Sequence, residues 1–293
     1  MENISGIVII NKEKGFTSHD VVNVVRRIYS IRKVGHTGTL DPDATGVLPI
    51  CIGKATKVAD MLTFSDKSYV ARVKLGLTTD TQDISGEVLS QNEVNVSIEE
   101  LTQAVKKHIG EIEQIPPMYS AIKINGQKLC DLARKGVEVE RKARRVTIYS
   151  ADISDFNGEE FTLSVHCSKG TYIRTLCHDI GAHLGCGAVM TELQRTKSSI
   201  FSIDNSFYLD ELKAINNNEL LSVLMPVDSV FSHYPAMHIN DNIKKRLING
   251  ALCFVKSTEG TYRIYDKENN FLCVAEVKNN DGKNQLKSIK TFY

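Results

Sequence analysis

The chain has 293 residues, of which 42% are hydrophobic and 24% charged, and its formal net charge is +1. This composition is typical of a globular protein with a sizeable core and argues against intrinsic disorder. The longest uncharged apolar run, residues 46–53, is far shorter than the roughly 20 residues that a membrane span needs, and no signal-peptide pattern is present. We therefore expect a cytoplasmic protein without membrane contact.

The seven cysteines are scattered, at positions 51, 130, 167, 177, 186, 253 and 273. No two of them have the spacing of a zinc knuckle or a redox dithiol. An odd, dispersed set of this kind predicts reduced thiols in a cytosolic core. The histidines form no obvious ligand cluster, so we predict no metal site.

Charge is distributed unevenly along the chain. Residues 121–150 carry eight Lys or Arg against three acids, net +5, and residues 236–293 carry ten against six, net +4. The stretch between them, residues 151–235, carries five against eleven, net −6. Two basic segments around an acidic one are typical of a selective contact with a phosphate backbone. An ordinary solvated surface has the same composition, so charge alone leaves both interpretations open.

The first half of the chain predicts alternating strands and helices. Residues 7–11 form a short β-rich run, and Thr17 or Ser18 caps a helix with apolar residues at steps of three and four. Residues 69–75 alternate as in a strand with one wet face. Ser97-Ile98-Glu99-Glu100 is a capping box, and Gly110 ends the helix that it starts.

The second half predicts strands at about 146–152 and 161–167 and a helix at about 171–184. Residues 121–150, opened by Pro116-Pro117, have weak periodicity and are interpreted as a protruding excursion with a short amphipathic piece near Leu129–Ala133. Residues 225–235 resemble a hinge. Beyond it the pattern predicts a small, mostly β module with one helix, residues 240–249, and three strands, at 252–255, 262–265 and 271–277.

The segment from Gly35 to Lys57 is the densest in chemistry-bearing residues. Its first 15 residues hold three Gly and two Pro, which argues against a plain helix or a central strand. A Walker loop fits poorly, because the glycines are too far apart and Ala55 replaces the Ser or Thr after the lysine. Asp41, held before Pro42, is either a turn starter or a preorganised catalytic carboxylate. The residues alone leave both roles open.

Five ordered blocks resemble the motifs of tRNA pseudouridine-55 synthases of the TruB type. They are Asn11-Lys12-x3-Phe16-Thr17-Ser18; Gly35-His36-x-Gly38-x-Leu40-Asp41-Pro42-x-Ala44-Thr45-Gly46; Tyr69-x5-Leu75-Gly76-x2-Thr79-Asp80-Thr81-x-Asp83-x2-Gly86; Pro116-Pro117-Met118-Tyr119-Ser120-Ala121; and Cys167-Ser168-Lys169-Gly170-Thr171-Tyr172-Ile173-Arg174. The resemblance covers most of the chain.

The resemblance implies an α+β fold: a catalytic domain over residues 1–232, with a mixed, largely antiparallel sheet and flanking helices, and a PUA-like β pseudo-barrel over residues 236–293. The insertion at about 121–150 is implied to clamp the T-arm of tRNA. The C-terminal module is implied to contact the acceptor end. We expect a monomer.

The implied activity is isomerisation of uridine 55 in the TΨC arm of tRNA to pseudouridine, with no cofactor. Asp41 is implied to be the catalytic aspartate, as a nucleophile on C1′ or as a base on C2′. Arg174 is implied to pair with it, which is reasonable because a buried carboxylate needs a cation to stay ionised.

Four further residues take roles from the same resemblance. Tyr69 is implied to stack on uracil and to be a candidate for removal of the C5 proton, and His36 to fill the vacated stack of the T-loop. Tyr172 and Leu193 are implied to line the uracil pocket. The family commonly has Arg where this chain has Gln194, so one basic RNA contact is expected to be missing.

Two other functions fit the same basic surfaces. One is a tRNA-binding folding chaperone, which would not need the set Asp41, Tyr69 and Arg174. The other is the catalytic subunit of a guide-RNA-dependent synthase. The insertion at 121–150 and the absence of extended basic tails favour a stand-alone enzyme.

Overall fold

The computed structural model describes residues 4–216 and 218–293. Its strands are β1 Gly6–Lys12, β2 Val34–His36, β3 Thr45–Ile52, β4 Lys67–Leu75, β5 Leu77–Thr79, β6 Val88–Gln91, β7 Gly110–Gln114, β8 Lys123–Ile124, β9 Gln127–Lys128, β10 Arg144–Ser154, β11 Glu160–Cys167, β12 Ala188–Ser198, β13 Phe201–Ser202, β14 Ala236–His238, β15 Cys253–Phe254, β16 Gly260–Tyr265, β17 Phe271–Asn280 and β18 Lys283–Thr291. Its α-helices are α1 Ser18–Tyr29, α2 Ala59–Thr63, α3 Ile98–Lys106, α4 Leu129–Ala133, α5 Ile173–Leu184, α6 Leu209–Ala214 and α7 Asp241–Ile248. No helix in these two ranges is long and apolar enough to cross a membrane.

A nine-stranded sheet forms the larger part of the molecule. Its main path is β1-β3-β12-β4-β11-β10-β7, with β2 added on β3 and β13 on β12. Every pairing is antiparallel except that of β12 with β3. This mixed, largely antiparallel sheet confirms the expected fold class. A second sheet of five strands, in the order β14-β16-β17-β18-β15, forms the C-terminal module.

Helices α1, α3 and α5 pack on the large sheet for reasons that their sequences contain. Thr17 caps α1 and Ser97 caps α3, each in a full capping box that satisfies two free backbone N–H groups. Their apolar stripes join buried clusters with residues of β1, β4 and β11. Six of the seven cysteines are buried, as predicted, whereas Cys130 is half-buried.

The prediction against a central strand near Pro49 is wrong, because β3 runs between β1 and β12. Pro49 has no N–H to donate, and its carbonyl accepts instead from the backbone N–H of Thr37 at 3.2 Å. The N and C=O of one strand residue point to the same side. The missing donor therefore lies on the side of Thr37, the residue after β2, and the pairing of β3 with β1 on the other side continues through Ile9 and Pro49.

Two further boundaries differ from the predictions. The predicted insertion ends too late, because its last seven residues belong to β10, and the excursion comprises residues 115–143 with a small hairpin and α4. Helix α3 ends at Lys106, and Gly110 starts β7 instead of ending the helix. The strands β12 and β18 were not predicted.

Residues 225–235, interpreted as a hinge, are packed. A 3₁₀ helix spans Val227–Phe231, and the Phe231 side chain is 1% exposed. Its ring lies 6.1 Å from that of Phe271 and 5.9 Å from that of Phe292, both in the C-terminal module. The same cluster contains Ile7 of β1. The two sheets thus share an apolar core at this segment.

Replacing Phe231 with Ala should lower the free energy of unfolding by about 3–5 kcal/mol, because it opens a cavity in this shared core. Urea denaturation measures the change. Phe254→Ala is the matched control, since that ring is 52% exposed and its loss should change stability by less than about 1 kcal/mol. Equal effects of the two variants would show that the shared core contributes little.

Candidate active site

Asp41 lies in the loop between β2 and β3, and buried side chains hold the backbone on both sides of it. Before Asp41, the backbone N–H of Leu40 donates to Ser18 Oγ at 2.9 Å, and Ser18 Oγ donates to the Leu40 carbonyl at 3.1 Å. After it, Lys12 Nζ donates to the Pro42 carbonyl at 2.9 Å. Burial lowers the pKa of Lys12 to about 8, against the charges of Asp43 and Asp41, which raise it. The carboxylate is therefore presented from a braced loop.

Arg174, near the start of α5, joins this loop to two others. Its Nη2 lies 3.0 Å from Asp41 Oδ2 and donates to the Tyr119 carbonyl at 2.9 Å. Its Nη1 lies 3.2 Å from Asp83 Oδ2 and donates to the Thr81 carbonyl at 3.1 Å. The guanidinium side chain is 7% exposed, so four oxygens surround a buried cation.

Asp83 is a carboxylate to which the sequence analysis assigned no role. Its Oδ1 accepts from Thr81 Oγ1 at 2.8 Å and from the backbone N–H of Ser85 at 3.1 Å, which fixes its orientation. Its side chain is 19% exposed, compared with 49% for Asp41. Its place in a motif block, four residues after Thr79, was the only sequence signal for it.

A cavity of about 330 Å³ opens beside Asp41 and Arg174. This volume is in the range of small-molecule sites, about 300–1,000 Å³. Tyr69 of β4, Leu193 of β12 and Tyr172, the residue before α5, contribute to its walls. The cavity thus brings together five of the six predicted site residues.

Gln114 and Gly46 position the elements that form the walls of this cavity. Gln114 donates to the Tyr172 carbonyl at 3.0 Å and accepts from its backbone N–H at 2.8 Å, so a buried amide holds the start of α5. Burial raises the pKa values of both Tyr69 and Tyr172, which keeps their phenols protonated. Gly46 lets β12 approach β3, because a Cβ there would lie 2.2 Å from the carbonyl oxygen of Arg195.

His36, the sixth predicted residue, does not line the cavity. It lies at the end of β2, half-buried, and its Nδ1 accepts from the backbone N–H of Gly38 at 3.3 Å. Burial and then the charge of Arg195 lower the pKa of His36, so the ring is neutral at pH 7. Gln194 is exposed and lies in a separate groove with Arg72 on the opposite face of β12.

Two cavity residues, Lys67 and Arg195, were missed as site residues. Lys67 is 7% exposed and Arg195 is 1% exposed. They occupy alternate strand positions, two residues from Tyr69 and from Leu193 respectively, so period-two spacing puts them on the same faces. That spacing was the signal that could have identified them. Within the described residues, no group of three or more His, Cys, Asp or Glu could hold a metal ion.

Family models match the chain over two adjoining ranges. Residues 26–173 match the N-terminal domain of the TruB family of pseudouridylate synthases. Residues 174–232 match the C-terminal domain of tRNA pseudouridylate synthase B. The junction between the two models falls at Arg174, so each model contributes one partner of the Asp41–Arg174 ion pair.

Curated relatives align over most of the chain. Proteins named tRNA pseudouridine synthase B include one from Clostridium kluyveri, 43% identical over 99% of this chain and 100% of its own length. Another, from Clostridioides difficile, is 44% identical over 98% of this chain and 99% of its own length. A third, from Alkaliphilus oremlandii, is 52% identical over 84% of this chain and 82% of its own.

Solved structures share the fold across the whole chain. A crystal structure of a Cbf5-Nop10-Gar1 complex matches with a TM-score of 0.74 at 26% identity, covering 100% of this chain and 86% of that one. A structure of an H/ACA RNP bound to a substrate RNA matches with a TM-score of 0.72 at 24% identity, covering 98% of this chain and 85% of that one. Fold and site together define a pseudouridylate synthase, an isomerase. The chain belongs to the TruB family of these enzymes.

Proposed function

We propose that this chain isomerises uridine 55 in the TΨC arm of tRNA to pseudouridine, with Asp41 as the catalytic aspartate. The observation that carries the proposal is the 3.0 Å ion pair between Asp41 and Arg174 at the wall of a nucleoside-sized cavity. The names of the relatives, which align nearly end to end, support tRNA as the substrate.

The reaction breaks the bond between C1′ and N1, turns the uracil and joins C5 to C1′. Asp41 either attacks C1′ or takes the C2′ proton, and both routes need an ionised carboxylate aimed at the sugar. Arg174 places a positive charge 3.0 Å from this carboxylate and holds it in position. Asp83 holds the second arm of the guanidinium and so orients the first.

Tyr69, Tyr172 and Leu193 receive the base. An aromatic ring suits uracil because its face offers stacking without hydrogen-bond specificity. Since burial keeps Tyr69 protonated, its resting form is the neutral phenol. Once C5 is joined to C1′, loss of the C5 proton restores conjugation in the ring. The phenol oxygen takes this proton as it releases its own to water, so Tyr69 ends as the same neutral phenol.

The target uridine has to leave the stack of the T-loop to reach this cavity, which costs a few kcal/mol. His36 lies outside the cavity at the end of β2, where the loop of Asp41 begins, and its neutral ring suits insertion between bases. We assign it to the space that the uridine leaves. Its neighbour Gly38 lines the cavity, so the two positions are adjacent.

The exposed lysines of the excursion at 115–143 and of the C-terminal module are assigned to the tRNA backbone. The excursion lies over the cavity side of the molecule, since Ser120 and Ala121 line the cavity. The PUA-like module, residues 236–293, is assigned to the acceptor end. Deleting it is a poor test, because Phe292 and Val274 belong to the core shared with the large sheet.

The purified chain, incubated with an unmodified tRNA transcript and no other RNA or protein, tests the proposal. Position-resolved pseudouridine mapping should find the product at position 55, and a transcript with cytidine there should give none. Product at another position, or none, would overturn it. Activity only after addition of a second RNA would favour the guide-dependent subunit, and refolding of tRNA without product would favour the chaperone.

Binding of tRNA should weaken steeply with salt, because phosphate contacts release counterions. Replacing the exposed Lys123, Lys128 and Lys135 with Gln should reduce the slope of log K against log [salt] by about 1 for each lysine that touches a phosphate. The same is expected of Lys256, Lys283 and Lys287. Filter binding at four salt concentrations measures the slope.

Lys213→Gln is the matched control for these lysines, because Lys213 is exposed in the acidic segment and pairs with Asp210 at 2.7 Å. Its slope should equal that of the unmodified chain. A slope that none of the substitutions changes would remove both basic segments from the RNA interface.

A further inference from the structure

The cavity contains two buried cations, Lys67 and Arg195, that donate to backbone carbonyls. Lys67 Nζ donates to the carbonyls of Thr63 at 2.7 Å and Ser65 at 2.5 Å. Arg195 donates through Nε to the Val47 carbonyl at 2.7 Å and through Nη2 to the Gly38 carbonyl at 3.2 Å. In residues 4–216 and 218–293, no carboxylate lies within 4.0 Å of either cation, unlike Arg174, which has two.

Such an arrangement is unfavourable until an anion arrives. A buried cation without a counter-charge loses several kcal/mol of hydration that carbonyl dipoles only partly replace. Burial, and then the charge of Arg195, lower the pKa of Lys67 to about 8. Asp66 is adjacent in sequence, but it is exposed and bonded to the Tyr149 hydroxyl. This side of the cavity is therefore positive before the substrate binds.

The reaction moves a negative charge across the cavity. When the C1′–N1 bond breaks, its electron pair leaves with the uracil as an anion spread over N1 and the carbonyl oxygens. Asp41 becomes neutral at the same time, as an ester with C1′ or as an acid holding the C2′ proton. Whichever route is followed, one charge passes from Asp41 to the base. The charge returns to Asp41 when C5 joins C1′, because the ester bond then breaks or the acid returns its proton to C2′. Loss of the C5 proton and gain of a proton at N1 complete the product without a further change of charge.

The positions of the two cations match that movement. Asp41 is half exposed at the sugar side, whereas Lys67 and Arg195 are buried. A base that enters deeper than the sugar reaches Tyr69. This residue lies opposite Arg195 in the pairing of β4 with β12, and it follows Lys67 by two residues on the same strand. The phosphates flank the sugar and so remain at the exposed side. Because Lys67 and Arg195 are buried deep in the cavity, their partner is the base and not a phosphate.

We propose that Lys67 and Arg195 stabilise the negative charge of the uracil expelled from C1′. This inference rests on the proposed function. Preorganised charges directed at a developing anion in a water-poor site are a large source of rate enhancement. The two residues are then electrostatic catalysts of glycosidic cleavage, separate from the Asp41–Arg174 pair that acts on the sugar.

The test compares two T-arm RNAs, with uridine or 5-fluorouridine at the target position. Fluorine withdraws electrons and makes the base a better leaving group, and it also removes the C5 proton. With uridine, Lys67→Met should reduce the single-turnover rate by about 10²–10³-fold, as loss of one oxyanion donor does. With 5-fluorouridine the loss should shrink to about 10-fold or less, while the Kd for RNA changes less than about threefold.

Controls separate this role from folding and from RNA binding. Lys67→Arg keeps the charge and should recover most of the uridine rate, whereas Lys197→Met, at an exposed position on β12, should behave as the unmodified chain does. Arg195→Lys should fall between Lys67→Met and the unmodified chain. Thermal denaturation checks that each variant folds.

Three outcomes would overturn the inference. Equal losses with both substrates would show that the cations do not act on the leaving group. A weaker Kd with an unchanged rate would make them a phosphate site. Unchanged rates in a chain that forms pseudouridine would reject this inference alone, whereas no pseudouridine from the unmodified chain would reject the proposed function itself.

Discussion

Asp41→Asn should abolish pseudouridine formation, reducing the rate by on the order of 10⁴-fold or more, as removal of a reacting carboxylate does. An amide has nearly the shape of the carboxylate, but it neither attacks C1′ nor takes a proton from C2′. The loop should stay in place, because Ser18 and Lys12 hold the backbone around Asp41 without its side chain. Tritium released from 5-labelled uridine in tRNA measures the reaction.

Affinity for tRNA should change less than about threefold in the same variant. The substitution removes one negative charge from the protein and no contact to the phosphate backbone of the RNA. Asp43→Asn is the matched control: it makes the same chemical change two residues away, on an exposed aspartate that makes no ion pair with Arg174. It should retain most of the activity. Substantial turnover by Asp41→Asn would remove the catalytic assignment.

Arg174→Lys should lose activity by about 10²-fold or more although the positive charge is kept. A single ammonium group cannot reproduce the two arms that reach Asp41 and Asp83 and the carbonyls of Thr81 and Tyr119. Asp41 is then no longer held toward the sugar, and a displacement of about 1 Å at a reacting group is enough for a loss of this size. Single-turnover rates at saturating enzyme measure it.

The role of the second carboxylate can be separated by a double-mutant cycle. Asp83→Asn alone should reduce the rate less than Arg174→Lys does, because the arm to Asp41 remains. If Asp83 acts only through Arg174, the double variant should be no slower than Arg174→Lys. Additive losses would show an independent role, and a wild-type rate for Arg174→Lys would contradict the proposed function of the ion pair.

Local signals in the sequence were sufficient for the starts of α1 and α3. The capping boxes at Thr17 and Ser97 involve only neighbouring residues, and both helices start where those boxes predict. The family motifs likewise contain Asp41 and Arg174 in short, continuous blocks. Chemistry that depends on residue type and short spacing can therefore be predicted from the amino-acid sequence alone.

Strand β12 shows where such signals stop. Its second half alternates in polarity but contains Arg195, a charged residue, on the buried side, so the pattern does not resemble a core strand. It is buried because β3 and β4 flank it and Gly46 allows close approach. Pro49 in β3 also depends on tertiary structure. Its missing N–H lies on the side of Thr37, beyond the last residue of β2, and not on the side of the partner strand β1.

The sequence by itself determined the family, the presence of Asp41 and Arg174 in its motifs, and the basic character of two segments. Only the tertiary structure decided that Asp83 shares Arg174 with Asp41, and that Lys67 and Arg195 lie together beside Tyr69. The physical reason is that residue type and local spacing act over a few neighbours. Which charges meet, and how far each is removed from water, depends on strand pairing between distant parts of the chain.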